Sequence, residues 1–475
     1  MNVLDQVKNT YKIVEVYSFE HNDVKILLDI NNSDFYSVDQ KYIDFINWFQ
    51  GKEVSENELL EKYTTDDLNK VINDLKEFNI LVDEIPVYEK ISIDRNREVV
   101  NLVMNVSQDC NLRCRYCFAS TGHYKGQREL MSQEVADKTL EWFVNQAKEA
   151  KHLNLHLFGG EPLVNVPLVK YIVGRVKELE KKYDKKIFMN ICTNGTIMND
   201  EILQLIKENE IGLQISIDGP KEIHDHFRPT AEGGSSYDLI VKNLEKIFAE
   251  IDKNAIIPRS TISRGVTDVC GIVNHLLNEM KFNSTFFIPA MGCGGISYGL
   301  EDVPKLCTEY DKLIEIFLSK LRKGEEFNIF PMISEIDAIG KGIRRIYGCG
   351  AGIGFASVDT KGNLYPCMRF TNNKNYNLGN VNEGFNSKRN ELFDRTVYNR
   401  KDCKTCWARH LCGGACVAIP VENGETTKGN NPVTCEVSKY MVKLAMYAST
   451  VIAKEGLKFD RNQLKVTDFM RRRFQ

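Results

Sequence analysis

The chain has 475 residues, 43% hydrophobic and 27% charged, with a net charge of −3, the balance of a soluble globular protein long enough for roughly two to four domains. No apolar run reaches the ~18 residues a membrane span needs, and residues 1–12 lack the apolar stretch and small-residue cleavage site of an export signal, so a cytoplasmic protein with no membrane partner is expected. Residues 1–90 carry 9 basic and 19 acidic side chains while the remainder is mildly basic; neither portion has the charge of a nucleic-acid binder.

In chain order, residues 13–19 and 24–30 alternate or run apolar like two strands, with His21-Asn22-Asp23 as the turn between them. A helix is predicted over 39–49, ending at Gly51. Ser55 opens a short helix with Glu58 three residues on, a capping box. A third helix covers 65–78. Two strands and three helices make residues 1–90 a small separate domain of winged-helix-like layout.

Residues 98–325 alternate strand and helix. Apolar, β-branched runs lie at 99–106, 153–158, 187–192, 212–217, 256–262 and 284–290, separated by helical stretches at 134–151, 167–182, 200–208, 237–251 and 268–280. Pro167 suits the first turn of its helix, where no backbone N–H is needed. This order predicts an α/β domain with a parallel sheet curled toward a barrel and functional groups at the C-terminal ends of its strands. Residues 345–440 are rich in Gly, Asn and Cys with few periodic segments. Such a stretch buries too little apolar surface alone, and metal clusters would supply the cohesion. Residues 441–475 form a C-terminal helix and tail, with helical pattern over 436–454 and a solvated charge run at Arg471-Arg472-Arg473.

The chain has 14 cysteines, which in a reducing compartment read as metal ligands where they cluster. Cys110, Cys114 and Cys117 form C-x3-C-x2-C just after the first barrel strand. Three thiolates on a four-iron cubane leave one iron open to a substrate or cofactor. Tyr116 sits where an aromatic can pack on an adenine. Zinc asks for four ligands, normally as paired short spacings, and this loop offers three with no evident fourth. The run Cys110-Asn111-Leu112-Arg113-Cys114-Arg115-Tyr116-Cys117-Phe118 resembles the radical S-adenosylmethionine (SAM) signature. The resemblance implies a partial (β/α)6 barrel and an open iron that binds the amino and carboxylate groups of SAM. Reductive cleavage of SAM then yields a 5′-deoxyadenosyl radical.

Supporting motifs follow successive strands. Gly159-Gly160-Glu161-Pro162 follows the second, where glycines admit close backbone approach and a carboxylate suits an ammonium; the resemblance implies contact with the SAM amino group. Thr193-Asn194-Gly195 ends the third strand, and Ser216 and Asp218 end the fourth. With Arg228, the last two are expected to hold the ribose and the SAM carboxylate. His224 and His226 lie beside Asp225 and Arg228; they read either as lining the SAM pocket or, more plainly, as a surface loop.

A second set comprises Cys349, Cys367, Cys403, Cys406, Cys412, Cys416 and Cys435, with spacing Cys403-x2-Cys406-x5-Cys412-x3-Cys416. It resembles the SPASM domain, which carries two auxiliary [4Fe–4S] clusters. Carried over residue by residue, Cys403, Cys406, Cys412 and Cys435 hold the outer cluster, and Cys349, Cys367 and Cys416 the inner one. Two clusters need eight ligands and the motif supplies seven. Gly350-Ala351-Gly352-Ile353-Gly354-Phe355 offers no thiol where some relatives have an eighth. Either a substrate cysteine completes the inner cluster, or Cys293 or Cys307 does. Cys192 and Cys270 read as core thiols. Met368 and Arg369 stand where sulfatase maturases of this type have an aspartate base after the residue matching Cys367, which counts against formylglycine chemistry.

Residues 1–90 resemble the recognition element of ribosomal-peptide modifying enzymes, where a leader peptide adds a strand to a sheet edge. The whole is similar to thioether-forming maturases of the ranthipeptide and sactipeptide groups. That implies an oxidoreductase with three [4Fe–4S] clusters and SAM, acting on a precursor peptide with a leader and a Cys-containing core and served by a flavodoxin or ferredoxin. A maturase forming C–C bonds or dehydrogenating a side chain would use the same clusters. An iron–sulfur electron carrier would need no SAM pocket.

Overall fold

The computed structural model describes residues 3–292 and 294–459. Cys293 and Arg471-Arg472-Arg473 lie outside the described residues. The chain begins with α1 (Val3–Thr10), β1 (Lys12–Ile13), β2 (Val16–His21), β3 (Val24–Asp29), β4 (Phe35–Ser37), α2 (Gln40–Phe49), α3 (Glu56–Lys62), α4 (Thr65–Glu77) and β5 (Leu81–Val82). β2, β3 and β4 form an antiparallel sheet in that order, and β1 pairs with β5. Asn22 and Asp23 both take left-handed backbone, φ 45° and 61°, as a two-residue hairpin demands. Ser55 and Glu58 close the expected capping box, and Thr64 and Asp67 close a second. The structure differs from the sequence expectation: 13–19 is divided between two pairings, a third sheet strand is present, and helix α1 and the short strand β5 are additional. β4 has only three residues, too few for an alternation to show.

β3 is buried on both faces. Leu27 points to the core of α2 and α4, with Phe45, Leu68 and Val71. Ile26, Leu28 and Ile30, on the other face, join the main core of the molecule.

The middle of the chain runs β6 (Asn101–Ser107), α5 (Gln133–Gln146), β7 (His152–Gly159), α6 (Val166–Tyr183), β8 (Lys186–Thr193), α7 (Asp200–Glu208), β9 (Gly212–Ser216), α8 (Lys221–Phe227), α9 (Ser236–Glu250), β10 (Ile256–Ile262), α10 (Val269–Asn274), β11 (Ser284–Pro289), α11 (Val303–Arg322), β12 (Asn328–Phe330) and α12 (Met332–Gly340). β6 to β12 are neighbours in sequence order and pair in parallel. The expected six-stranded partial barrel is present and extended. β12 adds a strand beyond β11, and the hairpin β13 (Phe355–Val358) and β14 (Leu364–Tyr365) adds to β6. The two edges do not meet, so the barrel stays open.

One face of this sheet is aliphatic: Leu155, Leu157, Ile187, Ile191, Leu213 and Ile215 pack under the helices. On the opposite face the register aligns His156 with Asn190, and Cys192 with Gln214. His156 Nδ1 lies 2.5 Å from Asn190 Oδ1. A polar lumen is thus written into the period-two pattern.

Past β14 regular structure is short: β15 (Gly379–Asn380), β16 (Gly384–Phe385), α13 (Lys388–Phe393), α14 (Arg409–Cys412) and α15 (Ala418–Glu422) precede the long α16 (Pro432–Glu455). Asn431 caps α16 through Thr434 N–H, with Pro432 in its first turn. α16 packs on α11, α12 and the N-terminal sheet. Among the described residues no helix is long and apolar enough to cross a membrane.

Candidate active site

The loop leaving β6 carries Cys110, Cys114 and Cys117, and its backbone is pinned on two sides. Ser107 Oγ accepts from Asp109 N–H and donates to Asp109 C=O, each at 3.1 Å. Arg113 Nη1 donates to Cys110 C=O at 2.8 Å. Arg113 N–H reaches Pro229 C=O, and Arg115 N–H reaches Phe227 C=O. The segment after α8 therefore frames the cysteine loop. Cys110 Sγ accepts from Leu112 N–H at 3.4 Å and from Asn194 Nδ2 at 3.9 Å.

The glycine pair after β7 serves this packing. Gly160 N–H donates to Ser107 C=O and Glu161 N–H to Asp109 C=O, both at 2.8 Å. A Cβ on Gly160 would stand 2.3 Å from Asp109 O, and one on Gly159, at φ +143°, 2.0 Å from Ser107 O. Only glycine lets the two loops lie against each other. Glu161 is fully buried and accepts from Thr193 Oγ1 (2.7 Å), Asn194 N–H (2.7 Å) and Leu163 N–H (3.0 Å). It thereby ties the end of β7 to the end of β8. Burial pushes its carboxyl up to about 7, the three donors opposing. Asn194 continues the tie, donating to Asn111 Oδ1 at 2.8 Å. Pro162 opens a short 3₁₀ turn ending at Asn165.

Across the mouth, Tyr116 OH donates to Asp218 Oδ2 at 2.5 Å, and Arg228 Nη1 donates to the same hydroxyl. Asp218 also accepts from Thr261 N–H at 3.0 Å. All three side chains are buried. Tyr116 thus stands as the hinge of an Asp–Tyr–Arg triad. Ser216, at the tip of β9, is half-buried and in register with Arg259 of β10.

The loop expectation at His224 is corrected: it lies on α8 and is fully buried. Its Nδ1 accepts from Asp218 N–H at 3.2 Å and its Nε2 lies 2.9 Å from Ser236 Oγ. Burial pushes it down to about 3, so the ring is neutral and positions Asp218. His226 lies 3.3 Å from Arg115 Nη1.

The seven later cysteines separate into two neighbourhoods. Cys403, Cys406, Cys412 and Cys435 bear electrostatically on one another. Cys349, Cys367 and Cys416 do likewise. Cys307 has Asp311, Glu436 and Lys443 as its charged neighbours, which places it in the packing of α11 on α16. Cys270 is half-buried and packed on the core, its Sγ donating to Glu309 C=O at 3.7 Å. The core-thiol expectation is corrected at Cys192, which is half-buried on the lumen face and accepts from Asn190 Nδ2 at 4.0 Å.

These donor sets fit iron–sulfur clusters. Every described cysteine is a free thiol. Burial pushes Cys110, Cys367 and Cys435 up to about 12, and Cys114 and Cys403 up to about 11. A cationic cluster would take such thiols as thiolates, but burial pushes the core-packed Cys270 and Cys307 up to about 12 as well, so it is the grouping of the cysteines that marks the donor sets. Among the described residues no three side chains converge tightly enough for a single metal ion. A cubane, with irons at separate corners, asks for wider spacing. For SAM, the buried Arg228 Nε has no hydrogen-bond partner, a donor left for a ligand carboxylate.

Sequence reasoning missed several supporting residues. Tyr124 is buried, with the charges of Cys117, Cys367 and Cys110 all bearing on it, and its hydroxyl reaches Gly159 C=O at 3.3 Å. Arg395 donates to Cys349 C=O and Ala351 C=O, and Arg400 to Gly414 C=O and Gly429 C=O. Both arginines are almost wholly buried. Lone Tyr and Arg residues carry no spacing signal, so nothing in one dimension marks them.

Residues 104–268 match the family model described as the radical SAM superfamily. This part of the chain is a radical SAM domain. The chain is 25% identical over 342 residues to the cysteine-type anaerobic sulfatase-maturating enzyme of Clostridium perfringens strain 13, covering 66% of this chain and 88% of that one. It is 24% identical over 412 residues to the radical SAM cyclopropyl synthase TigE of Paramaledivibacter caminithermalis, covering 79% and 82%. Among solved structures, Streptococcus suis SuiB bound to precursor peptide SuiA superposes with a TM-score of 0.52 at 13% identity, covering 89% of this chain and 99% of that one. Residues 104–268 thus belong to the radical SAM superfamily, and the chain is related to anaerobic sulfatase-maturating enzymes and to a radical SAM cyclopropyl synthase.

Proposed function

We propose that the chain is a radical SAM maturase that installs Cys-derived thioether crosslinks in a ribosomally made precursor peptide. The observation that carries this reading is the four-plus-three division of the later cysteines beside the radical SAM domain. Seven thiols leave the inner set one ligand short, which a peptide cysteine suits. When bound, the clusters and SAM supply a deoxyadenosyl radical that removes one hydrogen atom, and an acceptor for the second electron.

The chain's own groups bind and orient. Cys110, Cys114 and Cys117 hold the first cluster. Arg228 presents Nε to the SAM carboxylate, and Asp218 is fixed by Tyr116, Thr261 N–H and the neutral His224. Glu161, Thr193 and Asn194 lock the loops that carry the backbone facing the SAM amino end. The lumen behind them, with His156, Asn190 and Gln214, receives the peptide. The net change is loss of the thiol hydrogen and one C–H hydrogen as the S–C bond forms.

Residues 1–90 serve as the leader-binding unit in this reading. β4 is an edge strand of its sheet, which suits strand addition, and the acidic excess of the segment suits a leader with basic residues. A flavodoxin or ferredoxin in the cytoplasm supplies electrons.

The test is mass spectrometry of a Cys-containing precursor after anaerobic incubation with enzyme, SAM and reductant. Loss of two hydrogens per crosslink, with the cysteine no longer alkylatable, supports the reading. Deoxyadenosine release with every cysteine still alkylatable favours C–C bond formation or dehydrogenation, the chemistry suggested by the cyclopropyl synthase relative.

A further inference from the structure

We propose that the N-terminal unit is a structural part of the outer cluster site, its residues positioning the ligand loop that runs from Cys406 to Cys412. The inference rests on the assignment of Cys403, Cys406, Cys412 and Cys435 to one cluster.

Two independent sets of contacts support it. The first clamps the loop itself. Trp407, next to Cys406, stacks on Tyr17 of β2 with ring centroids 4.2 Å apart and planes 6° from parallel. Lys443 of α16 lies over both rings and over Phe19, at 5.5 to 5.9 Å. Two residues on, the buried Arg409 pairs with Glu15 and donates to Asn31 Oδ1 at 2.7 Å. Its Nη1 also reaches back to Cys406 C=O at 3.3 Å. One guanidinium therefore joins the N-terminal sheet to a ligand residue's own carbonyl.

The second set covers another ligand. Ile91 and Ile93, on the segment that leaves the N-terminal unit, pack in one cluster with Cys403, Ile346 and Val397. Ile91 N–H donates to Tyr398 OH at 3.2 Å, and Lys90 lies over the same ring. Residues 15–31 and 90–93 thus shield two sides of one four-cysteine group, while no described contact of this kind reaches Cys349, Cys367 or Cys416.

The physics is that of any supported metal site. Groups behind the ligands fix their orientation and keep solvent out, and both set how tightly the metal is held and its potential. Removing the stack and the ion pair frees the five residues between Cys406 and Cys412. The outer cluster should become labile and spectroscopically altered, with the other two unchanged.

The test uses the reconstituted full-length enzyme and the double variant Glu15→Gln, Tyr17→Ala, with Tyr17→Phe as the conservative counterpart. Iron is counted before and after a chelator challenge, electron paramagnetic resonance spectra of the reduced protein are compared, and deoxyadenosine formation reports that the barrel is folded. We expect the parent and Tyr17→Phe to keep their iron. The double variant should lose about four irons and one cluster signal while still forming deoxyadenosine. A parent with about twelve irons and a double variant with unchanged iron and spectra would overturn the inference alone. A parent with only about four irons would overturn the auxiliary-cluster reading beneath it.

Discussion

Cys110, Cys114 and Cys117 sit on one short loop whose backbone is held by neighbouring strand ends through Ser107 and Gly160, with Asn194 Nδ2 donating to Cys110 Sγ. Cys349 to Cys435 are drawn from a long stretch with little regular structure, held by buried arginines on carbonyls and by contacts from β2 and α16. In the first region a parallel sheet supplies the frame. The second, in the reading proposed above, takes its frame from metal and from distant segments. Cofactor binding should therefore matter for activity in the first region and for folding in the second.

The largest effect expected breaks the first region alone. Replacing Cys110, Cys114 and Cys117 together by Ala should abolish deoxyadenosine formation and lower iron from about twelve to about eight per chain, with the later cysteines still loaded. Loss of all iron would mean the two regions assemble as one.

Next comes Glu161. Its carboxyl is raised from 4.5 to about 7 by burial, so the folded protein favours the protonated form. The stability this gives is complete below about pH 4.5 and is lost as the pH rises through about 7, a swing on the order of 3 kcal/mol. Denaturation of metal-free protein should show that decline, and Glu161→Gln should be less stable overall but flatter across the same window. Third, Tyr116→Phe removes the hydroxyl shared by Asp218 and Arg228. It should cost about 1–3 kcal/mol in thermal denaturation and weaken SAM binding measured by equilibrium dialysis. The smallest effect lies farthest away. Ser55→Ala removes a cap of α3, worth about 1 kcal/mol, and should leave iron content and deoxyadenosine formation unchanged.

Much of this organisation was legible in one dimension. The strand periodicity gave six of the seven consecutive parallel strands. β12 has three residues and escaped because a run that short has no period. The hairpin turn at Asn22-Asp23 and the Ser55 cap were legible because each rests on local backbone chemistry. Cysteine spacing pointed to the groups, since ligands on one loop must be close in sequence. What could not be read were contacts between remote segments: Trp407 on Tyr17, Arg409 on Glu15, Tyr124 beside both cysteine regions. His224 looked exposed because its neighbours are charged, yet α8 turns it inward onto Asp218.

The most direct measurement is iron and labile sulfide per chain in anaerobically reconstituted full-length protein, with Mössbauer spectroscopy to type the clusters. The account predicts about twelve irons, all in [4Fe–4S] form. About four irons would contradict it and leave only the radical SAM domain with a metal centre.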